Sequence, residues 1–563
     1  MCGILAVISK NGHPLPRRDI TFMRDLMTHR GPDDAGLFID ETNGVALAHR
    51  RLSILDLSSS GKQPMRSPQG NYISFNGEIY NYTELKAEFL SQQQFVSSSD
   101  TAVLLHMIEK YGEDALNRLN GMWAFVYFEP EKQQLLISRD RYGIKPLYYL
   151  DTSEVTILSS EIKPILASPY YTRELNQDAV DVYLHCGLVD GLEETFFKGI
   201  KRFPAASYCR YSLRNKELNF RKYYSIEQSV TTLDGDWREN VQTFKDLFFD
   251  SVKLRMRSDV PVGTCLSGGL DSSSIYSTAS EILSDKLSSF SAKFSEQEYD
   301  ESYFYNRVLQ KYPGNNSAVK PSFDNFEDQL KKIIYYLEEP SKAMGVFPQW
   351  HVMELAARGV KVLLDGQGGD EILAGYDYYK PYCFLDDFRH RPHKLPVSLT
   401  GYAVHNGVKP LLKLPLNVLK ILLKERTTFN GSFLSQRLLN DVTVDMLPAL
   451  LKYEDKIGMA FSIEARVPFL DYRLVDFVFS LRESYKINNG WSKKILRESM
   501  RDILPDEIIN RIDKKGFPTP LESVLTGNKH LNKLYPEAAR DTWTKWRYIS
   551  LHFWREIFDM QDC

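Results

Sequence analysis

A cysteine directly follows the initiator methionine, and this position gives it a chemistry that an internal cysteine lacks. Removal of Met1 would leave Cys2 with a free α-amino group beside its thiol. A thiol must lose its proton to act as a nucleophile, and an N-terminal amine with a reference pKa of about 7.7 to 8.0 is able to accept that proton. Judged alone, Cys2 is more simply a small apolar residue at the start of a strand.

Polar residues further along the first half would complement such a nucleophile. The NGE sequence follows the strand-like run YISF, so the Asn76 amide and the Gly77 backbone N–H are placed to stabilise an oxyanion. Arg51, Glu78 and Asp100 supply the opposite charges that hold an amino-acid zwitterion. Each residue also has an ordinary interpretation as a turn residue or a surface charge. Their joint occurrence with an N-terminal cysteine favours a site.

Two glycine-rich turns in the second half have the composition of a phosphate and metal site. SGGLDSS, residues 267–273, lies between a predicted strand and a predicted helix, where glycines let backbone N–H groups approach phosphate. Asp271 within it would repel phosphate unless a cation lay between them, and Mg²⁺ is the natural bridge. Asp370, in the turn GQGGDE, supplies a second carboxylate. The alternatives are a plain strand-to-helix connection and a helix cap, and they weaken once the two turns are paired.

Composition excludes several classes of protein. The chain has 563 residues, which allows two to four domains, and its 73 acidic and 70 basic residues predict no binding to nucleic acid. The six cysteines are scattered singly, and no signal peptide is recognisable at the start, which favours a reduced, cytoplasmic compartment. The apolar stretch 406–429 is broken by Pro410, Pro415 and several lysines, so we expect a partly buried helical segment and no membrane contact.

The pattern of the chain indicates how these residues are positioned. Short β-like runs separated by turns predict an α+β domain with two sheets over 2–211, and the polar stretch 212–236 is a candidate linker. Over 237–525 helix and strand alternate, which predicts an α/β domain with a doubly wound parallel sheet. The chain after about 378 is expected to be mainly helical, with a helical tail over 526–563. Both glycine-rich turns would then meet at the carboxyl ends of parallel strands.

Several motifs of the first half resemble those of a known family. MCGI, HRGPDDAG, HRRLSILD, FNGEIYNY, GMWAFVYF and SRDRYGIKPLYY resemble the glutaminase domain of class II glutamine amidotransferases, N-terminal-nucleophile hydrolases with an αββα fold. The resemblance implies that Cys2 attacks the side-chain amide of glutamine and that Asn76 and Gly77 form the oxyanion hole. It also implies that Arg51, Glu78 and Asp100 bind the α-groups of glutamine, and that Asn76 and Gly77 belong to the glutamine-binding set through the oxyanion hole.

The second half carries a further resemblance. SGGLDSS is similar to the pyrophosphate loop of ATP pyrophosphatases, and KYEDKIGMAFSIEARVPFLD and SKKILRESMRDILPDEIINRIDKKGF resemble the C-terminal half of glutamine-hydrolysing asparagine synthetases. This implies ATP and Mg²⁺ as cofactors, with Asp271 and Asp370 as metal ligands. It implies ATP binding by Cys265, Ser267, Gly268, Gly269, Asp271, Ser272, Ala292, Asp365 and Gly366. Lys514 matches the family lysine that stabilises phosphate charge, and Lys515 and Lys493 are alternatives for that role.

The resemblance implies a complete reaction and leaves its acceptor open. Ammonia released at Cys2 would pass through an internal channel to an acyl-adenylate of aspartate, giving asparagine, AMP and pyrophosphate; relatives often form homodimers. However, Gln367 replaces the glutamate of the usual GEGSDE or GEGADE, and EEPSKAMG differs from the usual DEPxxDPS. These differences favour an alternative acceptor, a uronic acid or a natural-product or peptide carboxylate. A third alternative, an inactive binding or regulatory protein on this fold, is disfavoured by the intact chemistry-bearing residues.

Overall fold

The computed structural model describes most of the chain. The described residues are 2–188, 190–231, 233, 235–283, 286–406, 418, 421, 429–512, 519, 521–528, 530–535, 539 and 541–560. Lys514 and Lys515 lie outside them, and so does most of the predicted helical stretch 406–429.

The amino-terminal part forms two antiparallel sheets of six strands each. Their strand orders are β10-β8-β9-β1-β3-β2 and β12-β11-β7-β6-β5-β4. The strands are β1 (Gly3–Ser9), β2 (Asp34–Asp40), β3 (Val45–Arg51), β4 (Met65–Arg66), β5 (Tyr72–Ile79), β6 (Gly121–Glu129), β7 (Gln134–Arg139), β8 (Tyr148–Asp151), β9 (Val155–Ser159), β10 (Ile200–Arg202), β11 (Ser207–Ser212) and β12 (Phe220–Lys222).

Helices cover the outer faces of both sheets. They are α1 (Arg17–Asp25), α2 (Tyr82–Phe89), α3 (Asp100–Tyr111), α4 (Ile162–Leu166) and α5 (Gln177–Cys186). Between the sheets, apolar side chains such as Ile4, Leu47, Val126 and Ile137 form one buried cluster. The central strands β1, β3 and β6 are buried along almost their whole length, because one face packs against the other sheet and the opposite face against helices. The predicted αββα architecture is confirmed.

The position of the NGE sequence differs from its prediction. Asn76 to Glu78 lie within β5 rather than after it, and they pair with Ala124, Trp123 and Met122 of β6. The strand continues because Gly77 allows the close approach of β6: a Cβ at this position would lie 2.1 Å from the carbonyl oxygen of Met122. The strand-like run YISF therefore extends through the NGE sequence.

The second part contains a parallel sheet of five strands in the order β15-β14-β13-β16-β17. The strands are β13 (Val262–Cys265), β14 (Ser288–Ala292), β15 (Asn315–Val319), β16 (Val362–Leu364) and β17 (Glu464–Arg466). The chain proceeds outward from β13 to β15 and then returns to place β16 on the other side of β13. This reversal confirms the doubly wound sheet and creates a ligand crevice between β13 and β16.

Helices account for most of the remaining described chain, so the prediction of a mainly helical C-terminal part is confirmed, with β17 as an added strand. They are α6 (Ile226–Ser229), α7 (Trp237–Arg255), α8 (Leu270–Ile282), α9 (Ser302–Lys311), α10 (Phe326–Leu337), α11 (Val346–Ala356), α12 (Gly369–Leu373), α13 (Lys380–His390), α14 (Leu395–Asn406), α15 (Phe433–Asn440), α16 (Leu447–Ala460), α17 (Tyr472–Ser480), α18 (Lys494–Ser499), α19 (Asp506–Ile509), α20 (Leu521–Gly527) and α21 (Thr542–Phe558).

The last helix, α21, is anchored in the core. Its Trp546 and Trp554 are fully buried. The indole N–H of Trp554 donates to the carbonyl oxygen of Glu338 at 2.8 Å, and that of Trp546 donates to the carbonyl oxygen of Ser341 at 3.1 Å. The helix therefore supports the segment that begins EEPS. The division of the chain at 211, 236 and 525 stays a prediction; β12 and α6 lie inside the segment 212–236.

Candidate active sites

A pocket of the amino-terminal part brings together the residues predicted to bind and hydrolyse glutamine. Cys2, Arg51, Gly77, Glu78 and Asp100 line it. Cys2 reaches the pocket because it directly precedes the central strand β1, whereas Gly77 and Glu78 come from β5 in the facing sheet. Burial raises the pKa of the Cys2 thiol, while the positive amino terminus and a hydrogen bond from the Leu52 backbone lower it. Deprotonation of this thiol therefore depends on a nearby base.

Asn76 has one amide atom engaged and one available. Its Oδ1 accepts a hydrogen bond from the Cys2 nitrogen at 3.0 Å, and its side chain is fully buried. Its Nδ2 donates to none of the residues that the structure describes. Leaving such a donor unsatisfied in the interior costs about 1 to 3 kcal/mol, so it is normally retained for a purpose. A free donor beside a nucleophile is the arrangement that stabilises an oxyanion in acyl transfer.

The charged residues of the pocket are held in place by backbone contacts. The Arg51 guanidinium donates to the carbonyl oxygens of Ser58, at 2.8 Å, and of Asp56. Asp100 Oδ2 accepts from the backbone N–H of Ile79 at 2.8 Å. Burial raises the pKa of Asp100 to about 7, and burial together with Asp100 raises the pKa of Glu78 well above its usual range. A cation such as an α-ammonium group would lower both pKa values on binding.

The pocket is completed by residues from the second part of the chain, which sequence reasoning missed. Glu464 of β17 lines the pocket, and Arg466 Nη2 lies 3.2 Å from Glu78 Oε2. Arg466 Nε also lies 2.6 Å from Glu464 Oε1. The motif SIEARVPFLD carried these two residues in the sequence, but no spacing rule linked them to Cys2 because the contact spans more than 380 positions.

Arg30 is a further residue without a predicted role. Its Nε donates to the Cys2 carbonyl oxygen at 3.0 Å, and its Nη2 lies 2.8 Å from Asp455 Oδ2 in α16. Its Nη1 contacts Glu161 Oε1 at 3.2 Å. The arginine is fully buried, so it ties the nucleophile rigidly to the helix that leads toward the parallel sheet. The HRGPDD motif was the available signal.

The second site lies at the carboxyl ends of β13 and β16, as the two glycine-rich turns predicted. Lys493 joins the two turns: its Nζ contacts Asp271 Oδ2 and lies 2.6 Å from Asp370 Oδ1. All three side chains are buried. Asp271 and Asp370 therefore contact the same Lys493 ammonium group, so the two carboxylates are neighbours, as predicted. Lys493 was considered only as an alternative to Lys514 in the sequence, and the latter lies outside the described residues.

The SGGLDSS turn forms an open cradle before α8. Gly268 has a φ of +81°, and a Cβ there would lie 2.6 Å from the backbone nitrogen of Tyr305, so only glycine fits. Ser267 Oγ accepts from the Gly269 N–H at 3.2 Å and contacts Ser272 Oγ at 3.0 Å. Arg511 holds the turn in place by donating a hydrogen bond to the Gly268 carbonyl oxygen at 3.1 Å. Sequence reasoning missed this residue.

The residues predicted around adenosine end three neighbouring strands. Cys265 ends β13, Ala292 ends β14, and Asp365 and Gly366 follow β16. Asp365 hydrogen-bonds the Cys265 thiol, and burial together with this carboxylate raises the pKa of Cys265. The structure thus brings the four predicted positions to one edge of the sheet. The Asp365 backbone N–H also donates to the Arg466 carbonyl oxygen at 2.9 Å, which connects this edge to the Cys2 pocket.

The two departures from the family pattern have different surroundings. Gln367 lies beside the buried carboxylate of Glu454 at the nucleotide edge. In contrast, the two glutamates of EEPSKAMG face the amino-terminal part. Glu338 accepts from the backbone N–H groups of Ile162 and Lys163 at 2.8 and 2.7 Å, and Glu339 Oε2 lies 2.5 Å from Arg202 Nη2. The first two positions of that segment therefore build an interface between the two parts.

The donor set at Asp271 and Asp370 suits Mg²⁺. This ion usually binds one or two carboxylates together with phosphate oxygens and water. Asp271 and Asp370 supply two carboxylates. Because both contact the single Lys493 ammonium group, they have the negative charge and the close spacing needed to bind one ion together. No group of three or more His, Cys, Asp or Glu side chains that could hold a metal ion occurs among the described residues. None of the described helices combines the length and apolar content that a bilayer crossing requires.

Comparison with known proteins agrees with this arrangement. The asparagine synthase family model matches residues 243–562, and the glutamine amidotransferase domain model matches residues 1–224. Asparagine synthetase [glutamine-hydrolyzing] 1 of Bacillus subtilis is 30% identical and covers 98% of this chain and 92% of its own. Asparagine synthetase [glutamine-hydrolyzing] 2 of the same organism is 30% identical over 91% of this chain and 71% of its own. Amidase chry2 of Gibberella zeae is 27% identical over 92% and 89%.

Fold and sites together define a glutamine amidotransferase domain of the N-terminal-nucleophile type joined to a nucleotide-binding α/β domain. The chain belongs to the asparagine synthase family. It is a glutamine-hydrolysing amide ligase, which uses ATP to drive a glutamine-dependent amidation.

Proposed function

We propose that this ligase converts aspartate to asparagine through an acyl-adenylate, with nitrogen delivered from glutamine inside the protein. One observation carries the proposal. Residues of β17 serve both sites, because Glu464 lines the Cys2 pocket while the Arg466 carbonyl oxygen accepts from Asp365 at the nucleotide edge. Free ammonia is largely protonated near neutral pH and then non-nucleophilic. Because the two sites share one buried strand, ammonia is able to move from one site to the other without entering bulk water.

Glutamine hydrolysis would proceed on the residues of the first pocket. After Met1 is removed, the Cys2 nitrogen becomes an α-amine, which accepts the thiol proton as the sulfur attacks the glutamine side-chain amide. The Asn76 Nδ2 and the Gly77 N–H would stabilise the oxyanion, while Arg51, Glu78 and Asp100 hold the α-groups. Collapse of the intermediate gives a glutamyl thioester and ammonia. The hydrogen bond from the Cys2 nitrogen to Asn76 Oδ1 orients that amine.

The second site would bind Mg-ATP and the acceptor. Asp271 and Asp370 would hold Mg²⁺, which neutralises phosphate charge when bound. The backbone N–H groups of the SGGLDSS turn and the start of α8 would bind phosphate oxygens. Lys493 contributes a second positive charge at the same point. Lys514 is proposed, from the family resemblance, to stabilise charge on the phosphates. The acceptor carboxylate displaces pyrophosphate, and ammonia then displaces AMP to form the amide.

A different acceptor is the second candidate, and one observation favours it. Gln367 is neutral where the family commonly has a glutamate, and it lies at the nucleotide edge. A uronic acid or a natural-product or peptide carboxylate would then replace aspartate.

The scattered cysteines, five of which are free among the described residues, favour a reduced cytoplasmic location. A homodimer remains part of the proposal on the strength of the family resemblance.

The test incubates the purified protein with Mg-ATP, glutamine and single carboxylic acids, namely aspartate, glucuronate and triglycine. Pyrophosphate release and the mass of the amide are measured. Aspartate-dependent pyrophosphate together with asparagine supports the proposal. Product from glucuronate or triglycine alone moves the assignment to the second candidate. Glutamate release without pyrophosphate for any acid contradicts both acceptors.

A further inference from the structure

Helix α16 connects the two sites through adjacent acidic residues. Asp455 points to the Cys2 site, since it contacts Arg30, which holds the Cys2 carbonyl oxygen. Glu454, one residue earlier, points to the nucleotide edge, where it lies beside Gln367 and close to Asp365. Ammonia that leaves Cys2 along this helix would therefore meet Glu454 at the second site.

The Glu454 carboxylate is buried and only partly satisfied. Its exposed fraction is 2%. Gln349 Nε2 of α11 donates to Oε2 at 2.5 Å, and the Gln367 side chain also hydrogen-bonds the carboxylate, whereas no well-formed hydrogen bond to Oε1 occurs among the described residues. Burying a carboxylate in this way is costly unless it has a partner or a task. Oε1 is thus available to a ligand at the nucleotide edge.

The location of this carboxylate coincides with the family departure at Gln367. The common glutamate of the GEG turn is absent, yet a carboxylate from another element occupies the space beside the substituted side chain. We propose that Glu454 supplies the carboxylate that the GQG turn lacks and accepts the proton released when ammonia attacks the acyl-adenylate. This inference rests on the proposed function.

Amide formation at the second site transfers one proton to Glu454. The ammonia lone pair forms a C–N bond with the acyl carbon, and the bond from that carbon to the AMP oxygen breaks with both electrons leaving on AMP. The nitrogen, positively charged after attack, loses one proton to Glu454 Oε1. The products are a neutral amide, AMP and protonated Glu454, which returns its proton to solvent before the next cycle.

The surroundings of Glu454 make its carboxylate a stronger proton acceptor than an exposed glutamate. Burial and the neighbouring Asp365 raise the pKa of Glu454 well above its usual range, whereas Gln367, Lys145 and Gln349 lower it. The Cys265 thiol also faces the carboxylate. A carboxylate with a raised pKa is a stronger proton acceptor, and general bases are most effective when their pKa lies near the working pH.

The experiment compares wild type with Glu454→Gln and with the exchange Gln367→Glu/Glu454→Gln, which returns the carboxylate to the family position. Glu354→Gln on the exposed face of α11 is the matched control. Ammonium chloride replaces glutamine, and each acid of the panel, aspartate, glucuronate and triglycine, is tested with Mg-ATP. The single-turnover pyrophosphate burst reports adenylation, and amide formation reports the attack by ammonia.

We expect Glu454→Gln to retain the burst and to slow amide formation by about 100- to 10,000-fold, the usual contribution of a positioned base. The exchange variant should recover most of that rate. When rates are expressed per free ammonia at each pH, the acidic limb that remains in wild type should disappear in Glu454→Gln. A wild-type amide rate in Glu454→Gln overturns the inference. Equal loss of burst and amide without recovery in the exchange variant also overturns it, because that pattern indicates a structural role. Wild-type protein that releases no pyrophosphate with any acid overturns the proposed function, and this inference with it.

Discussion

Substitution of Asn76 tests the hydrolytic site most specifically, because the two atoms of its amide have separate roles. Oδ1 accepts from the Cys2 nitrogen at 3.0 Å, and Nδ2 is a buried donor without a partner among the described residues. Asn76→Asp keeps the acceptor for Cys2 and replaces the donor with an oxygen that repels an oxyanion. Asn76→Ala removes both groups. The pair therefore separates the positioning of Cys2 from stabilisation of the oxyanion.

The expected magnitude follows from the loss of one donor. Removing a single oxyanion-hole donor lowers kcat by about 100- to 1,000-fold, or about 2.7 to 4 kcal/mol. We expect at least this loss in Asn76→Asp, with little change in KM for glutamine, since Arg51, Glu78 and Asp100 are untouched. Asn76→Ala should lose as much or more.

The assay follows glutamate release from glutamine and, in parallel, amide formation from ammonium chloride. The second reaction bypasses Cys2 and reports whether the nucleotide site is intact. Asn11→Asp, an equivalent change at an exposed position, is the control. Glutamine hydrolysis by Asn76→Asp within a factor of about three of wild type would refute the assignment of Nδ2 to the oxyanion, since the loss expected for such a donor is far larger.

Three further predictions concern charge and packing. Because burial raises the pKa of Asp100 to about 7, its charge is present above that pH and lost below it; glutamine binding to Cys2→Ser should therefore weaken by about tenfold per pH unit below 7. A dissociation constant that stays flat from pH 5.5 to 8, by calorimetry, would contradict this. Lys493→Met removes the ammonium group shared by Asp271 and Asp370, so ATP-dependent pyrophosphate release should fall by about 100-fold or more, and an unchanged rate would count against a role at the phosphates. Trp554→Ala removes a buried indole and its hydrogen bond to Glu338, and urea unfolding should show a loss of about 3 to 5 kcal/mol; a loss below about 1 kcal/mol would mean that α21 is not part of the core.

Much of the fold could be predicted because its signals are local. Short β-like runs separated by turns identified β1, β3, β5 and β6, and the change to alternating helix and strand identified the parallel sheet. Short strands such as β17, with three residues, carry too little periodicity to be recognised. Gly77 lies inside β5 although glycine usually weakens a strand, because it permits close approach of Met122.

The sites were predictable where one motif carried the residues and not where distant segments meet. Cys2, Arg51, Gly77, Glu78 and Asp100 line one pocket, and Asp271 and Asp370 lie side by side, as predicted. Their catalytic roles stay predictions. Arg30, Glu464, Arg466 and Arg511 act through contacts with residues far away in the chain, which no local spacing reveals. Motifs contained these residues, but only the tertiary structure identifies the groups that they contact.

Delivery of nitrogen from Cys2 to an activated carboxylate is the central claim, and isotope tracing tests it most directly. The protein is given glutamine labelled with ¹⁵N in its side-chain amide, Mg-ATP, the acceptor acid and a large excess of unlabelled ammonium chloride at a pH where ammonium is poorly used. The shared strand β17 predicts that the product amide keeps the ¹⁵N content of glutamine, with one pyrophosphate released per amide. Product whose label is diluted to that of the bulk ammonium pool would contradict internal delivery.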